Sequence, residues 1–240
     1  MRLGVLGTGT IAEAVVRGLA PDGHAITVSE RSAARAERLA VEFPNVSVAT
    51  NQDVVAASEI VFLGLMAEHA PEVLRGLRFR PDQRVVSFMA GLLLEEVGRL
   101  VAPARAEAVM LPFPGIAQGG SPILALGDAA VIETLFAPAN TVYGLRDAAE
   151  LEAYLCAQAL LSPAVQMVGV AAEWLGGETA QGEAFLRHLV GSSLMSGECQ
   201  SMLAALNTAG GYNQRLRQHM EAAGMREALT EGLDRLAGKP

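Results

Sequence analysis

The stretch "GVLGTGTIAEAVVRGLA", residues 4–20, decides how this chain is read. An apolar run ends in Gly7, and Gly9 and Ala12 follow in the spacing Gly-x-Gly-x-x-Ala before a helical pattern begins. Gly7 permits the tight turn out of a strand. Gly9 carries no side chain, so a pyrophosphate can approach the backbone. Ala12 is small enough for helix and strand to pack closely. Thr10 and Ile11 then offer backbone N–H groups at the helix start, where the helix dipole also favours an anion. A glycine-rich bend before an ordinary helix gives the same letters. Here a strand precedes, a helix follows and a second strand comes at the proper distance, so the stretch reads as a dinucleotide-binding turn.

Working outward, short apolar runs alternate with helical patterns through the first ~140 residues, as in βαβ units on a parallel sheet. Strands are expected at 2–7, 25–30, 45–50, 59–65, 84–90, 107–112, 121–127 and 140–145, and helices at 10–20, 32–42, 68–77 and 93–101, with a short one between the last two strands. From Asp147 onward the pattern is helical throughout. A break is expected at Ser162-Pro163, with proline as a helix's first residue. A longer helix is expected from about Thr179 to Leu206, then an interruption at "NTAGGYN" (207–213) and two amphipathic stretches. The reading is an α/β protein: a Rossmann-type, doubly wound, mostly parallel sheet in a dinucleotide-binding domain (1–146), followed by an all-helical domain (147–240) for substrate and dimerisation.

Composition narrows the function. The chain has 240 residues, 51% hydrophobic and 18% charged, and a formal net charge of -8 without a block of like charge. That balance suits a sizeable core and disfavours disorder or nucleic acid as the main partner. No apolar run approaches the ~20 residues needed to cross a bilayer. Met1-Arg2 leads straight into a strand, without the ordered parts of a secretory signal. A soluble, cytoplasmic protein with no membrane partner is expected. Cys156 and Cys199 lie far apart in no ligand spacing and are expected as reduced, buried thiols; no metal site is expected. The helical half is so apolar and so short of charge that it is expected to complete its core in a homodimer or higher homo-oligomer.

The second strand ends "VSERS", where the adenosine ribose of a dinucleotide would lie. Glu30 is placed to accept from the 2'-hydroxyl of NAD and to repel a 2'-phosphate, whereas Arg31 and Ser32 suit the 2'-phosphate of NADP. Ser32 equally suits the N-cap of the next helix. NADP and NAD both stay open here.

With these stretches in hand, the chain resembles the pyrroline-5-carboxylate reductase family over most of its length. The resemblance rests on "GTGTIAEAVVRG", "VSERSAARAERLAVEF", "ASEIVFLGL", "VVSFMAGLLLEEV" and "NTAGGYNQRLRQHMEAAGMREAL". It implies reduction of a cyclic imino acid by NAD(P)H, with NADP slightly favoured, and cofactor contacts after the fourth strand at Leu65 and Met66. The active-site segments differ. The family's Lys-Pro-Gln stands here as Met66-Ala67-Glu68, its Met-Pro-Asn-Thr-Pro as Leu111-Pro112-Phe113-Pro114-Gly115, and its Ser-Gly-Ser-Gly-Pro as "ALLSP" (159–163). Its Thr-Ser-Pro-Gly-Gly-Thr-Thr stands as "NTAGGYN". The family holds the substrate carboxylate by hydroxyls and N–H groups of that last segment. The resemblance therefore implies substrate contacts at Asn207, Gly210, Gly211 and Asn213, and a proton for the imine nitrogen relayed by Thr208, Tyr212 or an ordered water.

Two other readings share features of this sequence. A β-hydroxyacid dehydrogenase shares the two-domain plan and uses a lysine on the long helix; the one lysine here is Lys239, next to the C-terminus, which rejects it. A dinucleotide-binding sensor or assembly protein without turnover shares the altered motifs. It is set apart by whether Phe113 fills the nicotinamide end of the cleft.

Overall fold

The computed structural model describes residues 1–89, 91–176 and 179–239. Eight strands form one sheet: β1 (Arg2–Leu6), β2 (Ala25–Ser29), β3 (Val46–Ala49), β4 (Ile60–Leu63), β5 (Arg84–Ser87), β6 (Arg105–Pro112), β7 (Pro122–Gly127) and β8 (Thr141–Leu145). All eight fall where the sequence places them, although the fifth expected run also takes in Ala90, outside the described residues. The crossovers are α1 (Thr10–Leu19), α2 (Ala33–Glu42), α3 (Asn51–Ala57), α4 (Ala70–Arg75), α5 (Leu94–Val101) and α6 (Ala130–Phe136). Helix α3 escaped the sequence reading. At seven residues it is too short to show a period, and Thr50 starts it by accepting from the N–H of Asp53 at 3.3 Å.

The strand order is β3-β2-β1-β4-β5-β6-β7-β8, parallel except where β7 runs antiparallel to β6. That exception follows from the connection, because a single 3-10 turn, Pro114–Ala117, lies between β6 and β7 where the parallel pairs have helices. Side chains alternate between two core layers, as the pleat requires. Ile60, Phe62 and Val86 face one layer with α1, α2 and α6; Val61, Leu63 and Val85 face the other with α3, α4 and α5. Phe62 anchors the first layer, stacking on Phe88 at 5.4 Å and meeting Phe136 edge-on at 6.3 Å. The chain winds from β1 outward to β2 and β3, then crosses back to β4. The β1–β4 boundary is therefore the switch point where ligands bind on such sheets.

The chain divides into two compact units, Met1–Leu151 and Glu152–Pro240. The division falls inside α7 (Ala148–Ala157), not in the turn at Arg146–Asp147. The second unit holds the rest of α7, then α8 (Leu161–Leu175), α9 (Thr179–Met195), α10 (Cys199–Ala205), α11 (Tyr212–Ala222) and α12 (Met225–Leu236). Three helix expectations change here. The break expected at Ser162-Pro163 is a tightening to 3-10 over Gln158–Leu160, and Pro163 is the third residue of α8. The helix expected from Thr179 to Leu206 is two, since the chain leaves helical geometry at Ser196–Glu198 and Glu198 caps α10 in extended conformation. The apolar runs flanking the 3-10 stretch join into one helix, Ala148–Leu175, of 28 residues and mean hydropathy 1.5. By length and composition it reaches the bilayer-spanning range, contrary to the expectation from separate runs.

Among the described residues of the second unit, Ala172 alone is buried. Val165, Val170, Trp174, Phe185 and Leu194 are each more than half exposed. Cys199, expected to be buried, is exposed on α10, and Cys156 is half-buried.

Candidate functional site

In the first unit the opening turn sits at the switch point. Gly7 has φ +90°, a conformation that L side chains rarely adopt, and a Cβ there would stand 2.4 Å from the carbonyl oxygen of Gly64. Gly64 follows β4, and its own Cβ would meet that of Ala12 at 3.1 Å. Two glycines and an alanine thus let β1, β4 and α1 converge. Gly7 is itself buried and spends its N–H on Ser29 Oγ at 2.8 Å, so its role is to shape the turn.

Gly9 differs. It caps α1 with φ -70° and ψ 177°, a backbone any residue adopts, and a Cβ there would meet nothing within 4 Å. No side chain caps this helix. Glu13 makes the first intrahelical bond, to the Gly9 carbonyl, so the N–H groups of Thr10, Ile11 and Ala12 have no partner within the helix. Beside them Thr8 is 1% exposed and its Oγ1 lacks a hydrogen-bond partner. An open glycine, an uncapped helix start and an orphaned hydroxyl together fit a pyrophosphate.

At the end of β2, Glu30 and Arg31 are exposed in a 3-10 turn, Glu30–Ser32. Ser32 stands at the N-cap of α2, yet its side chain makes no cap hydrogen bond, which leaves the hydroxyl for a ligand. Arg35, absent from the sequence expectation, reaches back to this corner. Its Nη1 donates to Thr10 Oγ1 at 3.2 Å, and its Nε lies 3.8 Å from Glu13. Arg38 approaches the same carboxylate at 3.9 Å. After β4, Met66 is 60% exposed and its carbonyl accepts from His69 and Ala70. Leu65, by contrast, is 8% exposed and its side chain belongs to the second core layer, so only its backbone is left for a cofactor. Phe113 is half-buried just after β6.

The other expected residues lie in the second unit. "NTAGGYN" forms a turn into α11 in which Gly211 donates to the Thr208 carbonyl at 2.9 Å and Gly210 has φ +72°. Gly210 N–H is also engaged, by Gln214 Oε1 at 2.9 Å. Neither glycine therefore contributes a free N–H to an anion nest. The helix start itself supplies the N–H groups of Tyr212, Asn213 and Gln214, and α11, like α1, has no side-chain cap. Thr208 is exposed and Tyr212 is 89% exposed, so Tyr212 does not pack against the last helices. Asn207 Oδ1 is saturated, accepting from Gln214 Nε2 at 3.2 Å and Arg217 Nη2 at 2.7 Å. Among the described residues no three His, Cys, Asp or Glu side chains converge as a metal site would require.

A doubly wound sheet with a phosphate-fitting turn at its switch point, followed by a helical unit, defines the class: a dinucleotide-binding fold with a helical second unit. The comparisons sharpen this. Residues 2–91 match the family model described as NADP oxidoreductase, coenzyme F420-dependent. No curated protein matches the chain in sequence. Among solved structures, the 1-pyrroline-5-carboxylate reductase of Streptococcus pyogenes superimposes with a TM-score of 0.81 at 20% identity, over 99% of this chain and 97% of that one. The NADP-bound pyrroline carboxylate reductase of Plasmodium falciparum gives 0.80 at 11%, over 99% and 96%. A reductive aminase of Aspergillus terreus in complex with NADPH and ethyl levulinate gives 0.61 at 20%, over 99% and 91%. The chain has the fold of the pyrroline-5-carboxylate reductases.

Proposed function

We propose that this protein is a divergent member of the pyrroline-5-carboxylate reductase family, an NADPH-dependent oxidoreductase that reduces the C=N bond of a small cyclic imino acid. The observation that carries the reading is the turn at residues 7–12, where Gly9 is open, the α1 start is uncapped and Thr8 Oγ1 is orphaned. NADP-bound and NADPH-bound proteins of the same fold support it. For the adenosine end, Arg31, Ser32 and Arg35 outweigh the single carboxylate of Glu30, since a 2'-phosphate carries nearly two charges and takes several donors.

When bound, nicotinamide supplies the hydride. The chain's part is positioning. The 7–12 turn would hold the pyrophosphate, and Met66 lies just past the end of β4. The turn at 207–213 offers the substrate carboxylate the Tyr212, Asn213 and Gln214 N–H groups with the Thr208 hydroxyl. Thr208 or Tyr212 would supply the proton that the imine nitrogen takes up on reduction.

The exposed apolar helices of the second unit are proposed to pair with a second copy of the chain. A unit that buries so little by itself has no core of its own, and homodimers of this kind commonly bury about 2,000 Å² or more. The polar residues of α9, among them Gln181, Glu183, Arg187 and His188, suit a protein partner and not lipid.

The test is NADPH and NADH oxidation with 1-pyrroline-5-carboxylate and other cyclic imines, with a cofactor titration on the same sample. Turnover establishes the reductase. Cofactor binding without turnover on any imine points to the non-catalytic reading and refutes the enzymatic one.

A further inference from the structure

The turn at 207–211 should be floppy. It is exposed, it contains two glycines, and Gly210 sits at positive φ, so ordering it costs more backbone entropy than an ordinary loop. No core lies beneath it to hold it. It is instead tied to its own following helix by side chains one, two and three turns along.

Gln214 acts at two points, accepting from Gly210 N at 2.9 Å through Oε1 and donating to Asn207 Oδ1 at 3.2 Å through Nε2. Arg217 reaches ten residues back to donate to the same Asn207 oxygen at 2.7 Å. Its other terminal nitrogen, Nη1, donates to Glu221 Oε1 at 3.0 Å. Gln214, Arg217 and Glu221 lie on one line along α11, because the spacings 214–217 and 217–221 are the three- and four-residue steps of a helix face, and Asn207 in the preceding turn is held by the first two. The charge of Arg217 is met by Glu221. It therefore braces the turn and is not the counter-ion of a ligand.

We infer that Arg217, oriented by Glu221, is a positioning residue that presets the Asn207–Gly211 turn in the conformation that leaves the α11 N-terminus open to the substrate carboxylate. The inference rests on the proposed reading of that turn as the carboxylate site. A preset turn forgoes the ordering cost at the moment of binding, so the clamp acts on substrate affinity. The cofactor contacts proposed above come from the first unit, so NADPH affinity is the control.

The experiment is hydrogen exchange on the full chain, followed by kinetics, for Arg217→Ala, Arg217→Lys, Asn207→Ala and Asn207→Asp. Arg217→Ala and Asn207→Ala are expected to speed exchange in peptides spanning 207–213 while α12 and the first unit keep wild-type protection. Asn207→Asp, which keeps an acceptor oxygen facing Arg217, retains protection. Arg217→Lys, with no fork to hold both partners, restores it only in part. In turnover, Arg217→Ala raises KM for the imino acid roughly tenfold, the scale of one charge-assisted hydrogen bond, with kcat and the NADPH Kd nearly unchanged. Unchanged exchange at 207–213 in Arg217→Ala overturns the clamp. So does loss of protection spread evenly over α11 and α12, which marks general helix destabilisation. If the wild type turns over no imine, the carboxylate reading fails while the exchange result still decides the clamp.

Discussion

Gly7 and Gly9 stand two residues apart in one turn, and the geometry assigns them opposite failures. Replacing Gly7 with Ala forces an L residue to φ +90° and drives a Cβ to 2.4 Å from the Gly64 carbonyl oxygen, a backbone atom with nowhere to go. The conformational strain alone is worth about 1–2 kcal/mol. Forcing β1 and β4 apart adds the about 1–3 kcal/mol typical of overpacking. A loss of about 2–5 kcal/mol lowers the Tm by roughly 5–15 °C in a protein of this size. Replacing Gly9 with Val does neither, because its φ of -70° suits any residue and its Cβ enters empty space. Its effect on stability stays under about 1 kcal/mol.

That empty space is where the proposed reading puts the pyrophosphate. An isopropyl group there keeps the phosphates from the Thr10 and Ile11 N–H groups, and losing two charge-assisted bonds of about 1.5–3 kcal/mol each weakens NADPH more than roughly 100-fold. The assay pairs thermal unfolding by circular dichroism with calorimetric NADPH titration on wild type, Gly7→Ala and Gly9→Val. A Gly9→Val protein that binds NADPH with unchanged Kd refutes the site. One that unfolds as readily as Gly7→Ala refutes the statement that Gly9 is open for a ligand and not for packing.

At the adenosine end, Arg35→Ala is expected to weaken NADPH roughly tenfold and NADH hardly at all; equal losses for both would place Arg35 away from the 2'-position. Glu30→Ala moves the cofactor ratio further toward NADPH, and an unmoved ratio would show that its carboxylate points elsewhere. Phe185→Glu or Val165→Asp on the exposed helices is expected to shift the sedimentation profile from dimer toward monomer, and a wild type that already sediments as a monomer rejects the pairing of second units. The Glu150 carboxyl is held below the usual glutamate range by the Arg146 backbone N–H at 2.7 Å first and its side chain second. Since the folded value is depressed, its contribution to the α7 start is present above the ordinary glutamate pKa and is lost as pH falls through the lowered value. Carbon-13 titration is expected to follow that order, with Arg146→Ala returning the carboxyl only part of the way; full return would give the side chain the leading role.

The sequence by itself determined the sheet. Each strand is a short, largely apolar run closed by glycine, proline or a polar turn, and in the central strands burial on two faces makes that signal local and strong. It determined the shape of the 7–12 turn as well, since Gly7, Gly9 and Ala12 work through their own backbone and the helix they begin. What tertiary structure alone decided is the set of partners brought from a distance. Ser29 is 22 residues from the Gly7 N–H it receives, Arg35 is 25 from Thr10, and Gly64 is placed against Gly7 by the crossover to β4. No periodicity announces such pairs, because a strand's sequence says which face is apolar and not which strand lies beside it. The helical unit shows the same limit. Composition marked it as apolar and in want of a partner, but the joined helix at 148–175, the split at 196–198 and the engaged N–H groups of Gly210 and Gly211 depend on hydrogen bonds that close only in the folded chain.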